Sequence, residues 1–97
     1  MIMTFGDSDS EKYFRTGKCK ITGLDTDLTD LRAAALDAAE SLADLSPLKS
    51  LGLHMLKGDL AGFWSINLNG PWRLIFTFKD GDAYDVRIID THKKKRS

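Results

Sequence analysis

The stretch Leu53-His54-Met55-Leu56-Lys57-Gly58-Asp59-Leu60-Ala61-Gly62-Phe63-Trp64-Ser65-Ile66-Asn67-Leu68-Asn69-Gly70-Pro71-Trp72-Arg73-Leu74-Ile75-Phe76-Thr77-Phe78 decides the fold. Two alternating apolar runs flank Asn69-Gly70-Pro71, the pattern of a β-hairpin. With Asn69 and Gly70 alone as the turn, Trp72 would face Asn67 and Leu74 would face Ser65, mixing polar and apolar residues on each face. With a three-residue loop, Trp64, Ile66 and Leu68 lie opposite Phe76, Leu74 and Trp72. Burial of a uniformly apolar face selects the second register. Pro71 has no N–H to donate, so it sits better in a loop than in a ladder. The same test on Asp80-Gly81-Asp82 predicts another three-residue loop, with Phe78, Phe76 and Leu74 opposite Tyr84, Val86 and Ile88. The core face is then Trp64, Ile66, Leu68, Trp72, Leu74, Phe76, Phe78, Tyr84, Val86 and Ile88. The other face carries Phe63, Ser65, Asn67, Arg73, Ile75, Thr77, Asp85, Arg87 and Ile89. It is mixed, and is the natural place for a site.

Upstream of this stretch the pattern turns helical. Met1 to Phe5 is short and apolar, compatible with an edge strand. Ser8 is placed to cap a short helix, with Glu11 three residues on at capping-box spacing. Tyr13 and Phe14 face inward, and Gly17 ends that helix. Lys18 to Gly23 reads as a loop, and Leu24 as a hydrophobic staple. Thr26 or Asp27 caps a second helix, whose positive end Asp27 and Asp30 favour. Leu28, Leu31, Ala35, Ala38, Leu42 and Leu45 then recur at spacings of three and four, one apolar stripe that ends at Ser46-Pro47. Asp30, Arg32, Asp37, Glu40 and Asp44 occupy its other side, either a solvated face or a surface for a basic partner segment. Downstream come strands over Leu51–Leu56, Phe63–Leu68, Trp72–Phe78 and Ala83–Ile89, with Lys57-Gly58-Asp59 as a turn after the first. The order β-α-α-β-β-β-β predicts an α+β fold, an antiparallel sheet with two N-terminal helices on one face.

The totals bound the rest. A chain of 97 residues, 42% apolar, holds one domain with one modest core. That domain is expected over residues 1–92, followed by a basic tail over 93–97. Formal net charge is zero, but residues 1–46 hold five basic and nine acidic side chains, and residues 47–97 hold nine and five. Lys93, Lys94, Lys95 and Arg96 supply four of the positive charges, so charge by itself is a weak argument for nucleic acid. Cys19 is the only cysteine, which rules out an internal disulfide and a cysteine-based zinc site. No apolar run is long enough for a membrane span, and the N-terminus lacks the pattern of a signal peptide. The expected location is the cytoplasm.

Common catalytic motifs are missing. There is no HExxH, G-x-S-x-G or P-loop, and Gly58, Gly62 and Gly70 read as turn glycines. No cofactor or metal is expected. What remains is His54, Lys57, Arg73, Asp90 and His92. Each has an ordinary explanation: a half-exposed strand histidine, a turn lysine, an arginine on a solvated face, residues near a terminus. Together they suit one reaction. Two histidines can divide general base and general acid work near neutral pH. Arginine and lysine can hold a phosphate and stabilise the extra charge of its transition state. That set fits metal-free RNA cleavage by attack of the 2′-hydroxyl on the neighbouring phosphorus, chemistry that DNA cannot undergo.

At this point the sequence resembles a known family, the HigB-type toxins of the RelE/ParE superfamily from bacterial toxin–antitoxin pairs. His54-Met55-Leu56-Lys57-Gly58-Asp59, Gly62-Phe63-Trp64-Ser65-Ile66 and Asn69-Gly70-Pro71-Trp72-Arg73-Leu74-Ile75-Phe76 are similar to that family's His-Pro-Leu-Lys-Gly-Asp, Gly-Tyr-Trp-Ser-Ile and Asn-x-x-Trp-Arg-Ile-x-Phe. Gly81-Asp82-Ala83-Tyr84 resembles its next hairpin, and Asp90-Thr91-His92 its closing Asp-Tyr-His. Phe14-Arg15-Thr16-Gly17 and Leu36-Asp37-Ala38-Ala39 fit as well. The resemblance runs nearly the whole chain up to His92. It implies a microbial-RNase-like α+β fold and ribosome-dependent cleavage of mRNA in the A site. It implies a helix-turn-helix, HigA-like antitoxin that represses the shared operon, so that operator DNA is met only through the antitoxin. By matching position, His54, Asp90 and His92 are the expected catalytic residues, and Lys57, Arg73 and Thr91 the expected RNA contacts. Which histidine is base and which acid stays open.

Two departures bear on activity. The family tyrosine is Thr91 here, which cannot stack on a base and is a much weaker acid. The chain is also basic only in its tail, which either docks on ribosomal RNA or is a solvated terminus. Two other functions therefore stand beside the endoribonuclease: a ParE-like, non-enzymatic inhibitor of gyrase, and an attenuated toxin that acts mainly as a partner of its antitoxin.

Overall fold

The computed structural model describes residues 1–19, 21–45 and 51–90. Helix α1 spans Ser8–Thr16 and α2 spans Thr26–Ala38. Four strands follow: β1 His54–Met55, β2 Trp64–Asn67, β3 Trp72–Lys79 and β4 Asp82–Asp90. They form one antiparallel sheet in the order β1-β2-β3-β4. This is the expected α+β arrangement, two helices followed by an antiparallel meander. Ser46-Pro47, the expected helix stop, lies outside the described residues, as do Thr91, His92 and the 93–97 tail. No helix among the described residues is long and apolar enough to cross a membrane.

The first hairpin has the register that burial selects. Trp64 pairs with Phe76 and Ile66 with Leu74. The loop closes by Trp72 N–H to Asn69 O at 3.0 Å and Leu68 N–H to Trp72 O at 3.1 Å. Its tip is tied to the helical layer by Asn69. The Asn69 amide oxygen accepts from Asp25 N and its Nδ2 donates to Gly23 O. The core beneath holds Ile66, Leu68, Leu74, Phe76, Val86 and Ile88, with Tyr13, Leu36, Leu45 and Leu51 from the helical side.

The second hairpin differs from expectation. Lys79 pairs with Asp82, so Asp80 and Gly81 alone make the loop. Both have positive φ, 52° and 84°, the geometry of a primed two-residue turn. That shift by one residue would turn Val86 and Ile88 out of the core. A β-bulge corrects it. Asp85 and Val86 together oppose Phe76, with Asp85 in a left-handed conformation, φ 55°. Beyond the bulge, Leu74 faces Ile88 as expected. Before it, Ala83 takes the core position and is fully buried, whereas Tyr84 pairs with Thr77 and is half-buried.

Other differences are local. Met1 to Phe5 adds no strand to the named sheet, but makes isolated parallel bridges, Ile2 to Ala83 and Phe5 to Val86, along the outer edge of β4. Asp7, not Ser8, caps α1 by accepting from Ser10 N. Asp25, not Thr26 or Asp27, caps α2 by accepting from Leu28 N. In each case the cap is the residue just outside the helix, whose carboxylate reaches the N–H three positions on. The stripe on α2 is out of phase with the expected one. Thr29, Ala33 and Leu36 are buried, while Leu31 is 64% exposed. Thr29 can face inward because its hydroxyl donates to Asp25 O at 2.8 Å. The helix also stops at Ala38. Leu42 and Leu45 belong to a separate turn, over Leu42–Asp44, where Asp44 accepts the N–H groups of Glu40 and Ser41. On the expected polar side of α2, Asp30 accepts from Tyr13 Oη at 2.5 Å and Asp37 from Ile2 N at 2.8 Å. These two carboxylates hold other elements in place.

Candidate functional site

The sheet face away from the helices carries rows of cross-strand neighbours. One row is His54, Ser65, Ile75 and Arg87, one residue from each strand. The next is Asn67, Arg73 and Ile89. Strand alternation puts Phe63 on this face too, two residues before Ser65 and so diagonal to His54. Ser65 and Ile75 are nonetheless buried, at 1% and 0% exposure. Arg87 reaches across this face. Its guanidinium carbon lies 5.1 Å from the centre of the Phe63 ring, so its side chain crosses from β4 over Ile75 to the start of β2.

His54 is exposed at the outer strand of this face. Its Nδ1 lies 2.9 Å from Gly52 O. A carbonyl oxygen only accepts, so Nδ1 carries the hydrogen, and in the neutral ring Nε2 keeps its lone pair. Gly52 is required for this. Its φ is +61°, and a Cβ there would run into the Asn67 amide. The same left-handed residue breaks the extended run expected from Leu51, which explains why β1 is only His54–Met55.

Arg73 is half-buried. Its Nη1 donates to Gly70 O at 2.9 Å and to Trp72 O at 2.7 Å. The hairpin loop thus fixes the direction of the guanidinium. Lys57 is exposed and precedes the short turn Gly58–Leu60. Leu56 N–H bonds Phe63 O, so Lys57 lies past the start of β2, while Arg73 lies beside its end. Along the strand direction these two cations therefore flank His54. Strand spacing and rise put the Cα atoms of His54 and Arg73 roughly 12 Å apart.

Asp90 is placed differently from the other expected residues. It ends β4 opposite Trp72, so its Cα belongs to the face of Trp72 and Leu74 rather than that of Arg73. The structure brings His54 and Arg73 to one face, with Lys57 just past the end of β1 and Asp90 at the end of β4. Arg87 and Phe63 are additions. The strand alternation had placed both on the open face, but nothing in the sequence indicated that they stack.

A concave area lies at the turn end of the β3–β4 hairpin, lined by Thr4, Thr77, Phe78, Lys79, Asp80, Tyr84 and Asp85. It mixes one cation with two carboxylates. It has no histidine and no pair of cations for a phosphate. Among the described residues no three His, Cys, Asp or Glu side chains cluster in a way that could hold a metal ion.

Residues 3–92 match the model of a family described as the RelE-like toxin of the type II toxin–antitoxin system HigB. The chain is 34% identical over 93 residues to Endoribonuclease HigB of Proteus vulgaris, covering 95% of this chain and all of that protein. It is 40% identical over 58 residues to Toxin HigB-1 of Vibrio cholerae serotype O1, covering 60% of each.

Proposed function

This chain belongs to the HigB-like family of RelE-like toxins from type II toxin–antitoxin systems, and on that premise we propose that it is a ribosome-dependent endoribonuclease that cuts mRNA in the A site. The observation that carries the proposal is His54 on the open face, with Nδ1 held by Gly52 O and Nε2 open, between Lys57 and Arg73. An imidazole in that state is suited to take the proton of a 2′-hydroxyl. The 2′-oxygen then attacks the adjacent phosphorus, and the bond to the 5′-oxygen breaks. His92, as an imidazolium, returns a proton to that leaving oxygen. The products are a 2′,3′-cyclic phosphate and a 5′-hydroxyl. Arg73 and Lys57 hold the phosphate and stabilise its added charge. Asp90 acts at the end of β4, beside the two residues that follow it. The partner is an antitoxin, with a HigA-like, helix-turn-helix protein as the expected form. The site of action is the cytoplasm, where the ribosomes are.

The test is primer extension on a reporter mRNA, with and without programmed ribosomes. Cuts within codons only when ribosomes are present are expected. His92→Gln and His54→Gln should each abolish them while leaving the fold intact. Gyrase inhibition in a supercoiling assay, with no cuts, would overturn the proposal.

A further inference from the structure

Arg87 is the feature of the open face that the proposed chemistry leaves unused. Its Nε is buried and has no hydrogen-bond partner. A cationic donor in that condition is expensive to keep, because desolvation weakens its charge–water contacts and nothing replaces them. What holds the side chain there is the face of Phe63, 5.1 Å below the guanidinium carbon. Gly6 also borders it, where an added Cβ would run into the guanidinium. A bare backbone at that point leaves room for the cation.

Nε itself is out of a ligand's reach, so a contact falls to the terminal Nη groups. Arg87 is in the same row as His54, and Phe63 is a diagonal neighbour of His54. Arg73 pairs with Ile89 and Arg87 with Ile75, so the two arginines are diagonal neighbours on adjacent strands, with Cα atoms about 7–8 Å apart. Their side chains diverge, Arg73 towards the Gly70 loop and Arg87 towards Phe63, so they can serve separate phosphates along one strand. A planar cation over an aromatic ring, on one face with a second arginine and a histidine, matches the alternation of charge and flat ring in single-stranded RNA.

We propose that Arg87, held on Phe63, is an RNA-backbone contact of this chain. Its guanidinium binds a phosphate at the Phe63 end of the open face, apart from the one held by Arg73 at the loop end, and Phe63 sets its position. Arg87 touches substrate but takes no part in proton transfer. The assignment rests on the proposed RNA-cleaving function and is tested apart from it.

The test is binding of a single-stranded RNA whose 2′-hydroxyls are all methylated, without ribosomes, over a range of salt concentrations. Each phosphate contact on a single strand contributes about 0.7 to the slope of log affinity against log salt. Arg87→Gln is expected to lower the slope by about that amount. It should also weaken binding on the order of tenfold, the size expected for a lost charge-assisted hydrogen bond. Arg87→Lys keeps the slope and recovers part of the affinity. Phe63→Leu retains the cation but removes its platform, and should weaken binding with the slope unchanged. This variant keeps the proposal testable if Arg87→Gln fails to fold. Unchanged slope and affinity in Arg87→Gln, or no effect of Phe63→Leu, would overturn the assignment even if ribosome-dependent cuts are seen. A lowered slope without such cuts would support Arg87 and count against the cleavage proposal. If Arg87→Gln weakened binding of a poly-glutamate peptide and left RNA binding unchanged, the surface would belong to an acidic protein partner and the assignment would be wrong.

Discussion

The hydroxyl of Ser10 accepts the backbone N–H of Ile88 at 3.0 Å, joining residues 78 positions apart. Ser10 is 1% exposed and sits in the first turns of α1. The bond continues a series along the outer edge of β4. Ala83 N–H bonds Met1 O, Asp85 N–H bonds Thr4 Oγ1, and Val86 N–H bonds Thr4 O. An edge strand with unpaired N–H groups invites pairing with another chain. Here the N-terminus covers the edge, and α1 supplies the last acceptor before the site end of β4. Ser10→Ala leaves a buried N–H without an acceptor and is expected to cost about 1–3 kcal/mol. Urea denaturation checks this, with unchanged stability counting against the role of the bond.

The bulge gives a prediction of opposite signs at one position. Asp85 holds φ 55°, a conformation in which a side chain costs about 1–2 kcal/mol and glycine costs little. Asp85→Gly should be neutral or stabilising, by up to about 1 kcal/mol. Asp85→Val should destabilise by more than that, because a branched Cβ resists the left-handed region. Equal stability of the two variants would mean that the bulge does not need this conformation.

Gly52 links stability to the site. Gly52→Ala meets a left-handed φ and the Asn67 amide together, and is expected to cost at least about 1–2 kcal/mol. It also moves the carbonyl that holds His54 Nδ1. Cleavage should therefore fall by more than loss of folded protein explains, toward the roughly 10²–10⁴-fold worth of a positioned base. A drop in stability with full activity per folded molecule would free His54 from this support.

Tyr13 predicts a pH dependence. Burial, then the hydrogen bond to Asp30, pushes its phenol far above the usual range. The folded chain keeps this proton while the unfolded chain loses it near about pH 10. The contribution is whole below that value and declines as pH rises past it toward the folded value. Wild-type stability should fall between about pH 9.5 and pH 11.5, and Tyr13→Phe should show a smaller fall. Parallel pH profiles would argue against a protonated, buried phenol.

Thr91 is the test of attenuation. Thr91→Tyr restores a ring that can stack on an mRNA base and a hydroxyl acidic enough to join proton transfer. Faster A-site cleavage is expected, measured as the rate of primer-extension stops at fixed ribosome concentration. No change would count against attenuation by Thr91.

Much of this protein was legible in its sequence because the side-chain period of a strand is two. Trp64, Ile66, Leu74 and Phe76 could face one way in only one register, so the first hairpin followed from burial. His54, Lys57 and Arg73 were visible as a histidine and two cations around that hairpin. The second hairpin was not determined in the same way. Asp80-Gly81 and Asp80-Gly81-Asp82 are both good turns, and the choice depends on whether a bulge is affordable four residues later. The edge contacts of the N-terminus make it so, since Thr4 Oγ1 and Thr4 O take the N–H groups of Asp85 and Val86. Helix phase was likewise a tertiary decision. Thr29 rather than Leu31 is buried because its hydroxyl finds Asp25 O, and no periodicity of apolar residues contains that bond. The stacking of Arg87 on Phe63 joins β4 to the start of β2 across an intervening strand. Sequence spacing assigns each residue its face, but only the assembled sheet sets the distance between them.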